Sequence, residues 1–347
     1  MGNVYNYLKQ YGIYSFNYKK FNDIDNLVFS SLIYLDLTNM DINGKYTLKE
    51  IGSYYLNNKD KLNKYELLLK ELINTKRYQN IILSDYVYKR DKNIQFGAVT
   101  FKISKKLIYI SFEGTDKHIS SFKEDANLAC FYPVPSQIEA INYVNKHVSL
   151  FGPNVIIGGH SKGGNLALVS GMYLKKYKQF KIKKIYSNDG PGLRKKEFES
   201  IEYQRIKDKY IHIVPRESIV GMMLRSDKYF VIKSNKKGIK AHSMISWCIK
   251  DDKLVNDKLS NLSKKLSNNI LNWLDNHDDL ERKKIVDKVF QILEEELSNN
   301  NTNKIQKVLD IIFKIKSIDT DTKMLIKDLL INIINIRGDN NEKSNRS

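Results

Sequence analysis

The sequence predicts an α/β protein with a mostly parallel central sheet flanked by helices, an N-terminal helical segment and a C-terminal all-α extension. Three observations carry this. Short apolar runs alternate with amphipathic stretches from residue 137 to residue 233. The chain before residue 80 has helical spacing. Beyond residue 255 no strand signal appears, while helical spacing continues.

The elements follow in order. Residues 22–79 read as helical: Leu27, Phe29, Leu32, Ile33 and Leu35 form one apolar run, and Leu62, Leu67, Leu68, Leu69, Leu72 and Ile73 recur at helical spacing. Gln95 to Ser104 and Lys106 to Phe112 read as a hairpin turning near Lys105. A helix is expected over Gln137 to Leu150, started by Ser136 just after Pro133 and Pro135. Then come a strand at Asn154 to Gly158, a helix at Lys162 to Tyr177, a strand at Ile182 to Ser187 and a helix at Leu193 to Lys207. Strands at Tyr210 to Val214 and Tyr229 to Lys233 complete the alternation. Four helices are expected beyond residue 255, at Leu259 to Leu274, Leu280 to Leu297, Ile305 to Ile315 and Met324 to Ile336. The expected organisation is a helical segment over 1–80 packed on the core, an α/β core over 81–255, a helical extension over 256–337 and a disordered tail over 338–347.

A hydrophobic content of 41% in 347 residues suffices for a sizeable core. The net charge is +19, yet only nine of the 58 basic residues are Arg and the cations are spread along the chain. Arginine is the better residue for bidentate contacts to phosphate and guanine. The excess therefore reads as a Lys-, Asn-, Ile- and Tyr-rich composition, and a nucleic-acid partner is not expected. Cys130 and Cys248 make no disulfide framework or metal motif, no signal-peptide core opens the chain, and no apolar run spans a bilayer. A cytoplasmic location is expected, with no cofactor and no metal.

The chemistry is concentrated at Val155-Ile156-Ile157-Gly158-Gly159-His160-Ser161-Lys162-Gly163-Gly164-Asn165, which runs strand, tight turn, helix. A G-x-S-x-G pattern is weak alone, but a serine at a strand-to-helix elbow needs small neighbours two residues on either side, and Gly159 and Gly163 supply them. The following helix aims its positive end at the serine. Ser161 is therefore the candidate nucleophile. An acyl-transfer intermediate also needs donors aimed at its oxyanion. The backbone N–H of Lys162 is one candidate. Thr115, in the strand-ending turn Glu113-Gly114-Thr115-Asp116, is the other.

Phe112-x-Gly114-Thr115, followed by Gly-His-Ser-x-Gly-Gly, resembles the class 3 lipases. The likeness is closer to a bacterial Mbeg-like family of the same superfamily. It is carried by Phe21 to Leu27, Phe122 to Asp125, Gly158 to Asn165, Asn188-Asp189-Gly190-Pro191-Gly192, Val214-Pro215 with Ser218 to Gly221, and Ala241-His242-Ser243 before Trp247. This ordered set covers roughly residues 20–250, and as a set it is more specific than any one motif. The resemblance implies an α/β-hydrolase fold and ester hydrolysis, and leaves the substrate open.

The serine needs a base. Of six histidines, His118 and His147 precede the nucleophile strand, His160 is expected to point to the opposite side of the elbow, His212 lies within a strand, and His277 lies in the helical tail. His242 alone falls in a loop after the last strand, in the chain order serine, acid, histidine. For the acid, Asp189 ends the strand after the nucleophile helix. Glu217 is the alternative, following the next strand, near where the class 3 lipases carry an aspartate; here that stretch reads Arg216-Glu217-Ser218 and departs from the lipase pattern.

The function these residues point to is cleavage of small-molecule or lipid carboxylic esters through an acyl-enzyme. Acyl transfer to another acceptor would use the same residues. A non-catalytic binding protein on the same scaffold is the alternative, and a basic nucleic-acid or membrane-surface binder a second. The Lys-rich amphipathic helices beyond residue 255 are candidates for peripheral contact with an anionic membrane, although such faces more often pack on the domain.

Overall fold

The computed structural model describes residues 1–57, 59–91, 93–116, 118–298 and 319–329. Its centre is an eight-stranded sheet whose strands neighbour one another in chain order: β1 (Asn43–Thr47), β2 (Ile82–Arg90), β3 (Gln95–Ser104), β4 (Leu107–Phe112), β5 (Asn154–His160), β6 (Ile182–Asn188), β7 (Tyr210–Pro215) and β8 (Phe230–Ile232). The pairs from β1 to β4 are antiparallel and those from β4 to β8 parallel.

The helices include α1 (Val4–Tyr11), α2 (Asp23–Leu32), α3 (Leu48–Asn57), α4 (Lys64–Leu72), α5 (Ile119–Asn127), α6 (Pro135–His147), α7 (Lys162–Tyr173), the short α8 (Lys195–Phe198) and α9 (Ile201–Ile206), then α10 (Asn261–Asn276) and α11 (Asp279–Ser298). A two-residue hairpin, β9 (Ile249–Lys250) and β10 (Lys253–Leu254), precedes α10.

Period-two alternation in the strands divides the core. Phe101, Tyr109, Ile156 and Tyr186 face one side, where α1 to α4 pack; Ile108, Ile110, Val155, Ile157 and Ile185 face the other, with α6, α7 and α9. The chain-order sheet explains this split. Parallel strands that always step to the next neighbour in one direction, joined by crossovers of one hand, send every connecting helix to the same face. The other face is left bare, and the N-terminal helices cover it. A third cluster joins α10, α11 and Ile326 to Leu128, Val134 and Leu224, so the described part of the extension packs beside α5.

Several boundaries differ from the sequence-based expectation. Residues 22–79 are not helical throughout, because β1 interrupts them at the sheet edge; its polar Asn-Gly-Lys-Tyr-Thr carries no apolar pattern because an edge strand is largely exposed. β2 carries no readable alternation either, since Asp85 at φ 60° sits in a register shift between Ser84 and Val87. Pro135 is the first residue of α6 and Val148 ends it, so that helix starts earlier and stops sooner than expected. α7 ends at Tyr173, and Leu193 to Lys207 breaks into α8 and α9. The expected Ile305 to Ile315 helix, residues 330–336 of the last one and the 338–347 tail lie outside the described residues. Among the described residues, no helix is long and apolar enough to cross a membrane.

Candidate active site

Ser161 sits between β5 and α7 at φ 57° and ψ −131°, a conformation that side-chain-bearing residues rarely adopt. The elbow explains its glycines. A Cβ on Gly159 would lie 2.3 Å from the Gly163 carbonyl oxygen, and one on Gly163 would lie 2.2 Å from that of Phe112. Strand and helix therefore cross with no room for a side chain. The Ser161 N–H donates to the Asn188 carbonyl at 3.0 Å, which ties the elbow to the end of β6.

Asp189 follows β6 at φ 51° and is buried. Its Oδ2 lies 2.7 Å from His242 Nδ1. Its Oδ1 accepts from the Ser218 hydroxyl at 2.5 Å and the Gly221 N–H at 3.1 Å. With both oxygens held, the carboxylate has one orientation left for the imidazole. A carboxylate accepting from Nδ1–H leaves His242 Nε2 bare, the tautomer a general base requires.

Glu217 is turned elsewhere: its carboxylate accepts the Gly238 N–H, at the start of the turn that leads to His242. The structure thus brings Asp189, and not Glu217, to the histidine. The carbonyls of Ala241 and His242 are each held by a ring N–H, from the Trp247 indole at 2.9 Å and from His160 at 2.8 Å. His160 does not point away from His242 as the sequence suggests. Its ring packs against that of His242, centroids 4.3 Å apart.

The loop after β4 lies against the nucleophile. A Cβ on Gly114 would come within 3.2 Å of Ser161 Cβ and 2.5 Å of the His160 carbonyl oxygen. The Thr115 hydroxyl donates to Asp125 on α5, which fixes the rotamer of the expected oxyanion donor. Burial pushes the Asp125 carboxyl up to about 6, against the opposing pull of Lys162 and the Thr115 hydrogen bond. The Lys162 side chain turns inward. Its ammonium donates to the Gln95 carbonyl at 2.8 Å and to Glu124 at 3.0 Å, with neither side chain more than 3% exposed. Glu124 also accepts the N–H of Ser136 and that of Gln95. Beside this pair, Glu113 is raised to about 7 by burial, with Lys162 and the Gln95 amide pulling the other way.

Sequence reasoning misses these contacts, Asp125 and the Lys162–Glu124 pair above all. The only signal is that Phe122-Lys123-Glu124-Asp125 belongs to the segments that carry the family likeness; the inward lysine beside the serine leaves no pattern. His212 is buried in β7, its Nδ1 3.0 Å from the Ser226 hydroxyl, and burial lowers it to about 4. Among the described residues no cluster of His, Cys, Asp and Glu has the makings of a metal site.

The Mbeg1-like family model matches residues 72–291, more than half of the chain and all of this constellation. The chain belongs to the Mbeg1-like family. No curated protein matches it. Similar solved structures include a fungal lipase–inhibitor complex described as a model for interfacial activation in lipases. It is 13% identical, with 60% of this chain and 78% of that one covered and a TM-score of 0.41. Another is M37 lipase, 15% identical, with 56% and 68% covered and a TM-score of 0.37. This Mbeg1-like chain combines a mostly parallel sheet flanked by helices with a serine elbow.

Proposed function

We propose that this Mbeg1-like protein is a serine hydrolase that cleaves carboxylic esters, lipid esters among them, through an acyl-enzyme. The observation that carries the proposal is the 2.7 Å contact between His242 Nδ1 and the doubly anchored Asp189, one residue beyond the strand end that holds the strained Ser161. An Asp–His pair built this way, next to a serine at a positive φ, has the layout of an activated nucleophile.

In this reading His242 Nε2 takes the proton as Ser161 Oγ attacks the ester carbonyl. The N–H groups of Lys162 and Thr115 receive the oxyanion. The imidazolium then protonates the departing alkoxide, and the C–O bond breaks to leave acyl-Ser161. Water, deprotonated by the same histidine, releases the acid and restores the serine. Asp189 keeps its charge throughout and stabilises the imidazolium. These steps require no cofactor. The motif likeness to class 3 lipases favours lipid esters, while acyl chain and alcohol stay open.

The test is labelling by a fluorophosphonate probe. The wild-type protein should label, Ser161→Ala should not, and His242→Ala should label far more slowly. A folded wild-type protein that does not label, or a Ser161→Ala variant that does, would remove the assignment.

A further inference from the structure

We propose that Tyr34 and His160 form a positioning relay, in which the Tyr34 hydroxyl donates to His160 Nδ1 and His160 Nε2–H donates to the main-chain carbonyl of His242, holding the loop that presents His242 to Asp189. The relay rests on the reading of His242 as the base.

The geometry allows one proton arrangement. His160 Nε2 lies 2.8 Å from the His242 carbonyl oxygen, and a carbonyl only accepts. Nε2 therefore carries the hydrogen. Nδ1 lies 2.8 Å from the Tyr34 hydroxyl. In a neutral ring Nδ1 is then bare, and Tyr34 is the donor. The ring is neutral because burial drives its pKa far down, against the opposing effect of its hydrogen bond to the His242 carbonyl. It is 5% exposed, so it trades neither partner for water.

The loop needs such a hold. His242 ends a 3₁₀ turn that runs from Gly238, at φ 54°, through the exposed Ile239 and Lys240. Side chains outside the turn hold its backbone, and Glu217 accepts the Gly238 N–H at its start. The Trp247 indole serves Ala241, and His160 serves His242 itself. His160 also sits in the chain directly before Ser161. Any movement of the elbow is thereby transmitted to the base through one side chain.

Tyr34 lies just beyond α2, in the N-terminal segment. Its ring is fixed by stacking on Tyr65 at 4.7 Å. Its hydroxyl occupies the space that a Cβ on Gly114 would need, so it also touches the loop before Thr115. The N-terminal segment thus covers one face of the sheet and also supplies the outer member of a chain running from residue 34 to residue 160 to residue 242.

The experiment has two layers. The first needs no activity: histidine ¹⁵N NMR of the full-length protein at pH 7. His160 should be a neutral Nε2–H tautomer, and Tyr34→Phe should shift its Nδ1 resonance. An imidazolium, or an Nδ1–H tautomer, overturns the relay whether or not the protein is an esterase. The second layer is hydrolysis of p-nitrophenyl butyrate. His160→Phe keeps the ring and its stacking but removes both nitrogens; it should lower kcat roughly 10- to 100-fold with KM nearly unchanged. His160→Gln, which restores a donor near Nε2, should recover most of the loss. Tyr34→Phe should lower kcat less, and adding it to His160→Phe should change nothing further. A folded His160→Phe variant with wild-type kcat, or a Gln variant no better than Phe, overturns the proposal. Failure of the wild type to react with fluorophosphonate would instead remove the hydrolase reading and leave the tautomer result to judge the hydrogen-bond relay.

Discussion

Replacing Lys162 by Met should destabilise the protein by about 3–5 kcal/mol, because it strands Glu124 as an uncompensated carboxylate in the interior. The structure sets the size of the effect. The lysine side chain is 0% exposed and that of Glu124 3%, so neither charge has water to fall back on. Glu124 would keep its two backbone donors, Gln95 N–H and Ser136 N–H, which is why the loss stays at the scale of one broken buried pair. At this chain length roughly 2 °C accompanies each kcal/mol, so the midpoint should fall by roughly 6–10 °C. Glu124→Gln alone leaves the ammonium its Gln95 carbonyl and an amide oxygen, and should cost about 2–3 kcal/mol. The double variant should be less damaging than the sum by about 2 kcal/mol, since it removes both charges together. The assay is thermal and urea unfolding of the four proteins, followed by circular dichroism at one pH and salt concentration. Strict additivity, or a Lys162→Met loss below about 1 kcal/mol, would refute the claim that this pair is a coupled buried unit. The same pair ties the elbow to the helix carrying Asp125, so Lys162→Met should also slow fluorophosphonate labelling at temperatures where it is still folded.

Other consequences are as direct. Glu113 is raised from the ordinary 4.5 to about 7 in the folded protein, so the folded state favours the protonated form. Its contribution to stability is therefore full below about pH 4.5 and is lost as pH rises through 7. Glu113→Gln should gain on the wild type between pH 5 and 8, by at most about 3 kcal/mol for a shift of that size; a pH-independent difference in urea midpoint would sink this. Asp189→Asn should cut turnover by about 10⁴-fold, the scale of loss that the wrong histidine tautomer causes in serine proteases. Glu217→Gln, altering only the hold on Gly238, should cost roughly tenfold or less; equal losses in the two would contradict the assignment of the acid. Gly114→Ala places a methyl group within 2.2 Å of the Tyr34 hydroxyl and 2.5 Å of the His160 carbonyl oxygen, and should abolish rapid labelling while the far-ultraviolet spectrum stays native. Arg77 donates to both oxygens of Asp25 and to the carbonyls of Tyr14, Lys19 and Lys20, with no side-chain exposure. Arg77→Met should therefore lower stability by about 3–5 kcal/mol in urea titration, and a neutral result would show the cluster to be dispensable.

The sequence by itself determines what is local and what is ordered along the chain. The elbow is contiguous, so the spacing of Gly159, Ser161 and Gly163 is enough to announce the strand-to-helix turn, and the positive φ at Ser161 is the conformation such a turn demands. The strands β3 to β7 are legible because a strand largely buried on both faces must be an apolar run. His242 stands out because it alone among the histidines occupies the loop after the last strand of the sheet. What the tertiary structure alone decides is everything set by distance across the chain. Asp189 and Glu217 both close strands, and only the packing shows one carboxylate at 2.7 Å from the imidazole and the other on the Gly238 N–H. β1 is hidden because an exposed edge strand carries no burial signal, and β2 because the shift at Asp85 breaks its alternation. The inward turns of His160 and Lys162 depend on partners that lie from 38 to 126 residues away, and the cover of the second sheet face by the N-terminal helices on contacts such as Asn26 to Asn188, 162 residues apart. A buried charge or ring takes its role from whatever group can satisfy it, and that group has no fixed place along a sequence.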